Sequence, residues 1–391
     1  MTQTTPTRTT RTPPTSRSLE RAVAPLAVER FLAEHWERQP LVVPRDEAGR
    51  FDDLLSVRDV ERLVTETALR TPGFRLVKAG ETVSGYARDV PWRPEPFTGV
   101  ADVPRVLEEW ERGATIVLQG LHHSWLPLAR YCRLLEGFLD HPAQANAYFT
   151  PRGSQGLPVH HDTHEVLSLQ VAGEKRWLVY EPVLELPLKT QHYRSALGAP
   201  GDPVLDVTLR AGDTLYLPRG WLHQALTSDT DSLHITVGVN VRTWLDEARA
   251  ALDGAEDVSF RRAAGGGEPP ALPELDAEAA AVRMRRRLVR TRRPILDGQL
   301  QELRGLDALD AETELVRRDT VLADLDGTTL FFERRTLRFP ERLAAELEFL
   351  VTTEHPFRAA DLPGRLDEAG RLVLVRRLVR EGFLRRSASA A

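Results

Sequence analysis

The stretch from about residue 114 to residue 241 constrains the fold more than any other part of the chain. Short apolar runs follow one another there, at 115–119, 146–150, 166–171, 176–180, 205–209, 214–217 and 234–241. Turn-forming triplets separate most of them: Pro151-Arg152-Gly153, Ala172-Gly173-Glu174, Ala211-Gly212-Asp213 and Pro218-Arg219-Gly220. Glycine and proline supply backbone angles that a strand interior does not tolerate, so they punctuate strands. Many short strands at this spacing predict a β-sandwich or barrel.

Helical patterns flank this stretch. Residues 18–40 repeat Phe31, Leu32 and Trp36 at helical spacing, and 57–70, 103–112 and 275–310 also read as helices. Residues 1–17 are rich in Thr, Pro and Arg, lack any apolar run and predict a disordered tail. Residues 254–274 are rich in Gly, Pro and Ala and read as a linker. Beyond 315, two strands flank the hairpin signal Asp326-Gly327. Helices at 340–351, 359–366 and 367–381 follow, then a returning strand from Glu381-Gly382-Phe383-Leu384. That order resembles a winged helix, in which Arg376, Arg377 and Arg380 would read DNA if DNA were bound. The basic run 283–293 reads first as a solvated helix face, with a substrate- or RNA-facing surface as the alternative.

Composition excludes several classes. Of 391 residues, 41% are hydrophobic, too many for a wholly disordered chain. The net charge of −5 gives no global reason to expect nucleic acid or an anionic membrane, and no apolar run is long enough to span a bilayer. A single cysteine, Cys132, rules out a disulfide framework and any cysteine-based zinc or iron–sulfur site. A cytoplasmic protein is the expectation. Lysine occurs only at Lys78, Lys175 and Lys189 among 52 basic residues, so each lysine is informative.

The chemistry-bearing segment is Pro158-Val159-His160-His161-Asp162-Thr163-His164. On a strand, residues two apart share a face. His160 and Asp162 would then point together, with His161 pointing away. A histidine and a carboxylate make two-thirds of the facial triad that leaves open positions on Fe(II). His223, in Pro218-Arg219-Gly220-Trp221-Leu222-His223, is the expected third ligand, and His164 is a rival. His122, His123, His141, His192 and His355 lack carboxylates at ligand spacing and read as structural. Lys175, just after the turn at 172–174, either lies at the surface beside that turn or, as the metal motif favours, reaches back across the barrel, where a buried cation needs an anion such as a dicarboxylate.

Five motifs in order resemble the JmjC-type ribosomal oxygenases of the cupin superfamily. They are Asn146-Ala147-Tyr148-Phe149-Thr150-Pro151, Gly153-Ser154-Gln155-Gly156, His160-x-Asp162, Leu169-Gln170-x-x-Gly173-x-Lys175-Arg176-Trp177 and Pro218-Arg219-Gly220-x-x-His223-Gln224-Ala225. The resemblance implies an α+β protein with a double-stranded β-helix (jelly-roll, cupin, JmjC) core and flanking helices. The implied layout is a tail at 1–17, a catalytic domain at 18–250, a linker and helical dimerisation region at 251–314, and a winged helix at 315–391. It implies Fe(II) on His160, Asp162 and His223, with 2-oxoglutarate as cosubstrate and O2 as oxidant. It places Lys175 on the distal carboxylate of the cosubstrate, Asn146 in the same pocket and Tyr148 against the substrate, with no catalytic residue beyond the metal centre. The implied reaction is hydroxylation of a side-chain carbon in a ribosomal protein, by a homodimer. Gly238 falls where histidine-hydroxylating relatives carry serine, so arginine is expected ahead of histidine.

Two rival readings remain at the level of sequence. One is a hydroxylase of a biosynthetic precursor peptide, with the winged helix gripping a leader. The other is a non-catalytic cupin-like regulator that binds DNA, against which the intact His160, Asp162, His223 and Lys175 argue. DNA and membrane partners are not expected.

Overall fold

The computed structural model describes residues 10–155, 157–227, 229–253, 258–263 and 270–387. The chain divides into two compact units. One comprises Ser16–Glu136 and Pro142–Val241; the other comprises Gly137–His141 and Arg242 onward, with the residues up to Thr15.

The first unit is built on two antiparallel sheets. The larger has eight strands in the order Leu41–Val43, Thr214–Leu217, Glu165–Ala172, Ser232–Val239, Ala143–Thr150, Thr115–Leu118, Phe74–Lys78 and Glu81–Thr82. The smaller has three, Leu205–Arg210, Glu174–Tyr180 and Leu222–Thr227. Glu165–Ala172 and Glu174–Tyr180 are consecutive in the chain yet belong to different sheets, so the turn at Gly173 crosses between layers. Gly173 has φ +64, and a Cβ there would strike the carbonyl oxygen of Asp231, so no side chain fits. Val166, Leu215 and Leu217 of one sheet pack with Trp177, Val179 and Leu209 of the other. The expected mixed helix and sheet class, with a cupin-type two-sheet core, is the architecture found.

The helices differ from the sequence reading in places. Residues 18–40 form two short helices, Arg17–Val23 and Val28–Glu34, with Pro25 between them. Val57–Thr65 and Val103–Glu111 are shorter than expected, the former closed by a capping box between Ser56 and Asp59. Leu126–Leu139 was not anticipated, because proline in its first turn hides a good helix start. It buries Leu128, Tyr131, Cys132 and Leu135.

The second unit corrects the reading of the N-terminus. Thr10–Arg11 pairs antiparallel with Ala323–Asp326, and Thr12 is buried, so residues 10–17 are no disordered tail; residues 1–9 lie outside the described residues. Of the expected linker, 254–257 and 264–269 also lie outside the described residues, and Val258–Arg261 is a short 3-10 turn. The hairpin Ala323–Asp326 with Thr329–Phe332 turns at Gly327, whose φ is +58. Helices Ala344–Thr352 and Glu368–Arg380 and the pair Leu315–Arg317 with Leu384–Arg386 complete a core around Leu330, Phe332, Leu347, Val375, Leu378 and Phe383.

The basic run is not simply a solvated face. Helix Ala277–Thr291 buries Arg285, which reaches Asp140 at 2.8 Å, Thr12 Oγ1 at 2.8 Å and Asp324 at 3.7 Å. Arg283 pairs with Glu247, Arg286 with Asp326, and Arg290 lies over the Phe331 ring. On the last helix, Arg376 donates to the Leu309 carbonyl at 2.5 Å and Arg377 pairs with Glu381.

Arg285 is the shared partner of two carboxylates, one of them (Asp324) buried. Arg285→Ala should therefore lower the stability of this unit by about 3–5 kcal/mol, the cost of breaking a buried pair from one side. Urea unfolding of the two proteins measures it, and Asp324→Asn should cost less because Asp140 still pairs with Arg285.

Candidate metal centre

The Pro158–His164 segment is not a strand. The shared strand face expected for His160 and Asp162 is thus the wrong cause of their convergence. His160 instead forms a one-residue antiparallel bridge with His223. The His160 N–H donates to the His223 carbonyl at 3.1 Å, and the His223 N–H donates back at 2.8 Å. Directly opposed residues of such a bridge project to one side, and the two imidazole centroids lie 4.4 Å apart. Two residues on, the Asp162 carbonyl accepts from Gly220 N–H at 3.0 Å, which ties the segment to the Pro218-Arg219-Gly220 turn. One ligand atom each of His160, Asp162 and His223 then lie within 4.8 Å of one another.

The protonation pattern suits a cation. His160 Nδ1 donates to the Pro158 carbonyl at 2.8 Å, and His223 Nδ1 to the Trp221 carbonyl at 3.0 Å. Each Nδ1 therefore carries the proton, and each Nε2 keeps a lone pair. Burial, aided by His160, pulls the His223 pKa down to about 4, so its ring is neutral at pH 7. Burial works to raise the Asp162 pKa, but the neighbouring imidazoles outweigh it and leave the carboxyl below its ordinary range. Two imidazoles with their Nε2 atoms turned to one point and one carboxylate are the donor set that a divalent first-row metal takes.

Among the described residues no other histidine joins the three-residue ligand cluster. His161 is buried on the far side, its Nε2 donating to the Gln191 carbonyl at 2.9 Å. His164 Nε2 lies 3.9 Å from the other oxygen of Asp162, and its ring packs on Gly238, where a Cβ would come within 2.9 Å of it. His122 Nδ1 accepts from Ala145 N–H, in keeping with a structural role.

A buried ion pair fixes the separation of the two ligand-bearing segments. Glu165, just past Asp162, is fully buried and accepts from Arg219 Nη1 at 2.8 Å and from Tyr216 O–H at 2.5 Å. Arg219 stands four residues before His223 and also pairs with Glu37. Burial raises the Glu165 pKa, opposed by the Tyr216 and Arg219 bonds, and pushes the Tyr216 hydroxyl well up.

The metal-ligand set opens on a cavity of about 320 Å³ between the two sheets. Lys175 is 4% exposed; its Nζ donates to Thr150 Oγ1 at 3.0 Å, and Thr115 Oγ1 reaches the same oxygen at 3.1 Å. No carboxylate pairs with Lys175 among the described residues, and burial drops its pKa to about 7. Tyr148 lines the cavity, its ring stacked on His234 at 4.9 Å, and burial reinforced by Asp162 raises its pKa to about 12. Burial, then Lys175, holds His234 neutral, well below its ordinary value. Asn146 is not among the lining side chains, and its Oδ1 accepts from Gly120 N–H at 2.9 Å. Arg75, Thr115, Thr150, Trp177, His234 and Thr236 line the cavity without having been singled out. Most sit two residues from another lining residue on the same strand, so the period of two carried the signal.

Residues 121–246 match the family model of the JmjC domain. The chain is 35% identical over 222 residues to a Drosophila persimilis protein named bifunctional lysine-specific demethylase and histidyl-hydroxylase NO66, covering 56% of this chain and 31% of that one. It is 34% identical over 250 residues to ribosomal oxygenase 1 of Gallus gallus, covering 61% and 40%. Over these stretches the chain carries a JmjC domain match and is similar to ribosomal oxygenases. The solved structure of Escherichia coli ribosomal oxygenase YcfD overlays with a TM-score of 0.54 at 18% identity, covering 93% of this chain and 98% of that one, a likeness of fold. The alignments with the curated relatives span less than two thirds of those proteins, 53% in the case of ribosomal oxygenase 2 of Rattus norvegicus. The JmjC match contains all three members of the candidate metal set and both ends of the Glu165–Arg219 pair.

Glu165→Ala should cost about 3–5 kcal/mol of stability, since it leaves Arg219 buried with less of its countercharge. It should also weaken divalent-metal binding by letting the two ligand segments drift. Glu165→Gln, which keeps an acceptor, should fall between. Denaturation together with calorimetric titration of Mn(II) reads both effects.

Proposed function

We propose that this protein is an Fe(II)- and 2-oxoglutarate-dependent dioxygenase that hydroxylates a side-chain carbon of a ribosomal protein. The observation that carries this reading is that one cavity holds both the two-histidine, one-carboxylate set and a buried lysine with no carboxylate partner among the described residues. His160, Asp162 and His223 would hold the iron through the two free Nε2 atoms and a carboxylate oxygen. Bound there, iron with 2-oxoglutarate and O2 supplies the oxidising power that leaves a hydroxylated carbon, succinate and carbon dioxide.

The chain's own residues bind and orient. Lys175, steadied by Thr150, takes the distal carboxylate in a charge-assisted hydrogen bond. Trp177 and His234, in edge contact at 5.5 Å, wall off water. Tyr148 faces the entering side chain. The proposed position is the β-carbon of an arginine ahead of a histidine: Gly238, backed by His164, offers no hydroxyl there. We further infer a symmetric dimer through the 275–310 helices, because Leu300 (78% exposed) and Leu303 leave apolar surface open on Gln299–Arg304. In the same reading, residues 315–391 form a winged helix that holds protein rather than DNA, in keeping with the internal use of Arg376 and Arg377. The setting is the cytoplasm; among the described residues no helix is long and apolar enough to cross a membrane.

Mass spectrometry of ribosomal proteins from a deletion strain tests the function. One protein should lose a single-oxygen mass increment and regain it on complementation; an unchanged set contradicts the reading. Lys175→Ala should weaken 2-oxoglutarate by about two to three decades, the equivalent of about 3–5 kcal/mol for a broken buried pair, with Lys175→Arg recovering part of it. The free lysine titrates near pH 7, and the bound carboxylate raises that value, so binding takes up a proton above pH 7. Affinity should therefore be flat below pH 7 and fall above it, by up to about tenfold per pH unit. Calorimetry in buffers of different ionisation enthalpy should detect the proton, and Lys175→Arg should remove both the slope and the uptake.

A further inference from the structure

The cavity holds a second cation that the proposed chemistry does not use. Arg75 lines it from Phe74–Lys78, a strand remote in sequence from the metal-binding segments. Its row across the large sheet is Arg75 opposite Val117, Val117 opposite Tyr148, and Tyr148 opposite His234. In that row Tyr148 stands between Val117, which faces Arg75, and His234, and both Asp162 and Arg75 are near enough to act on its hydroxyl. Arg75 has no hydrogen bond or ion pair from its side chain among the described residues, and its Nε is buried without a partner.

Depth separates the two cations. Lys175 is buried at the floor, whereas Arg75 is partly exposed. A small dicarboxylate that enters first fills the floor; what arrives afterwards meets Arg75 beside Tyr148. Once a divalent metal and a dicarboxylate cancel against Asp162 and Lys175, Arg75 alone leaves the loaded cavity with one net positive charge. A guanidinium facing a water-poor cavity is stabilised by a carboxylate that fits its fork.

We propose that Arg75 is an anion subsite for the substrate peptide, binding the carboxylate of an aspartate or glutamate that flanks the residue entering the cavity. This deepens, and rests on, the reading of the cavity as the place where a protein side chain is hydroxylated. It assigns the protein a preference for acidic sequence next to its target.

The test uses full-length protein loaded with Mn(II) and 2-oxoglutarate, so that binding is read without turnover. The probe is a library of short synthetic peptides with arginine or histidine fixed at the centre and the flanks randomised. Retained peptides are identified by mass spectrometry. Wild-type protein should enrich Asp or Glu at one flanking position by about tenfold over Asn or Gln. Arg75→Gln should abolish that preference, and Arg75→Glu should turn it towards Lys or Arg, while 2-oxoglutarate affinity in Arg75→Gln stays within about twofold of wild type. The inference is overturned if wild-type protein shows no acidic preference, or if the preference survives in Arg75→Gln. It is also overturned if Arg75→Gln loses 2-oxoglutarate affinity with peptide preference intact, since Arg75 would then hold the cosubstrate. An Arg75-dependent acidic preference without succinate release from the iron-loaded enzyme would uphold the subsite and sink the hydroxylase reading instead.

Discussion

The site depends on one buried ion pair. Glu165 and Arg219 lie at the hinge of the two segments that carry the candidate ligands, one just past Asp162 and the other just before His223. His223 stands near the start of Leu222–Thr227, which pairs with Glu174–Tyr180, but His160 and Asp162 lie outside regular structure, so no ladder joins the two segments beyond the single bridge between His160 and His223. A fully buried carboxylate is costly unless its lone pairs are taken. Here Tyr216 and Arg219 take them, and Tyr216 in turn accepts from the Glu37 N–H at 2.9 Å. The pair thus converts burial cost into a fixed spacing: the segments come together correctly or leave a charge stranded.

Around that fixed point the two sheets supply everything else by alternation. Tyr148 and Thr150, Lys175 and Trp177, His223 and Ala225, and His234 and Thr236 are residues two apart on four strands, all facing one cavity. The turn at Gly173 is what lets one continuous stretch of chain give Val166 to one wall and Lys175 and Trp177 to the other. The result is a graded interior, with two imidazoles and a carboxylate at one place, a buried lysine and a partly exposed guanidinium.

Much of this was legible in the sequence, for physical reasons. Strands of the core announce themselves by apolar runs between Gly and Pro turns, and the Asp326-Gly327 hairpin appears where its turn residues put it. His160, Asp162 and His223 were legible as residue types, but their convergence was ascribed to the wrong geometry. Leu222–Thr227 alternates too weakly to read as a strand, so the bridge that joins His223 to His160 was invisible. For Asn146 a strand face gives direction and not contact; its Oδ1 accepts from the Gly120 amide. Arg75 and the pairing of Thr10–Arg11 depend on partners far along the chain, which local pattern does not encode. The arginines of 283–293 likewise look like solvent-facing charge until Asp140 and Asp324 arrive beside Arg285.

The central claim is that a metal held by His160, Asp162 and His223 and an anion held by Lys175 share one cavity. Anaerobic addition of Fe(II) and then 2-oxoglutarate, followed by visible absorption, tests it most directly, because chelation of the keto acid by iron produces a charge-transfer band. The account predicts a saturable band in the wild-type protein, its loss in His160→Ala and His223→Ala, and its retention in Lys175→Ala only at much higher 2-oxoglutarate. A band that survives loss of either histidine, or that forms at the same concentration without Lys175, would contradict it.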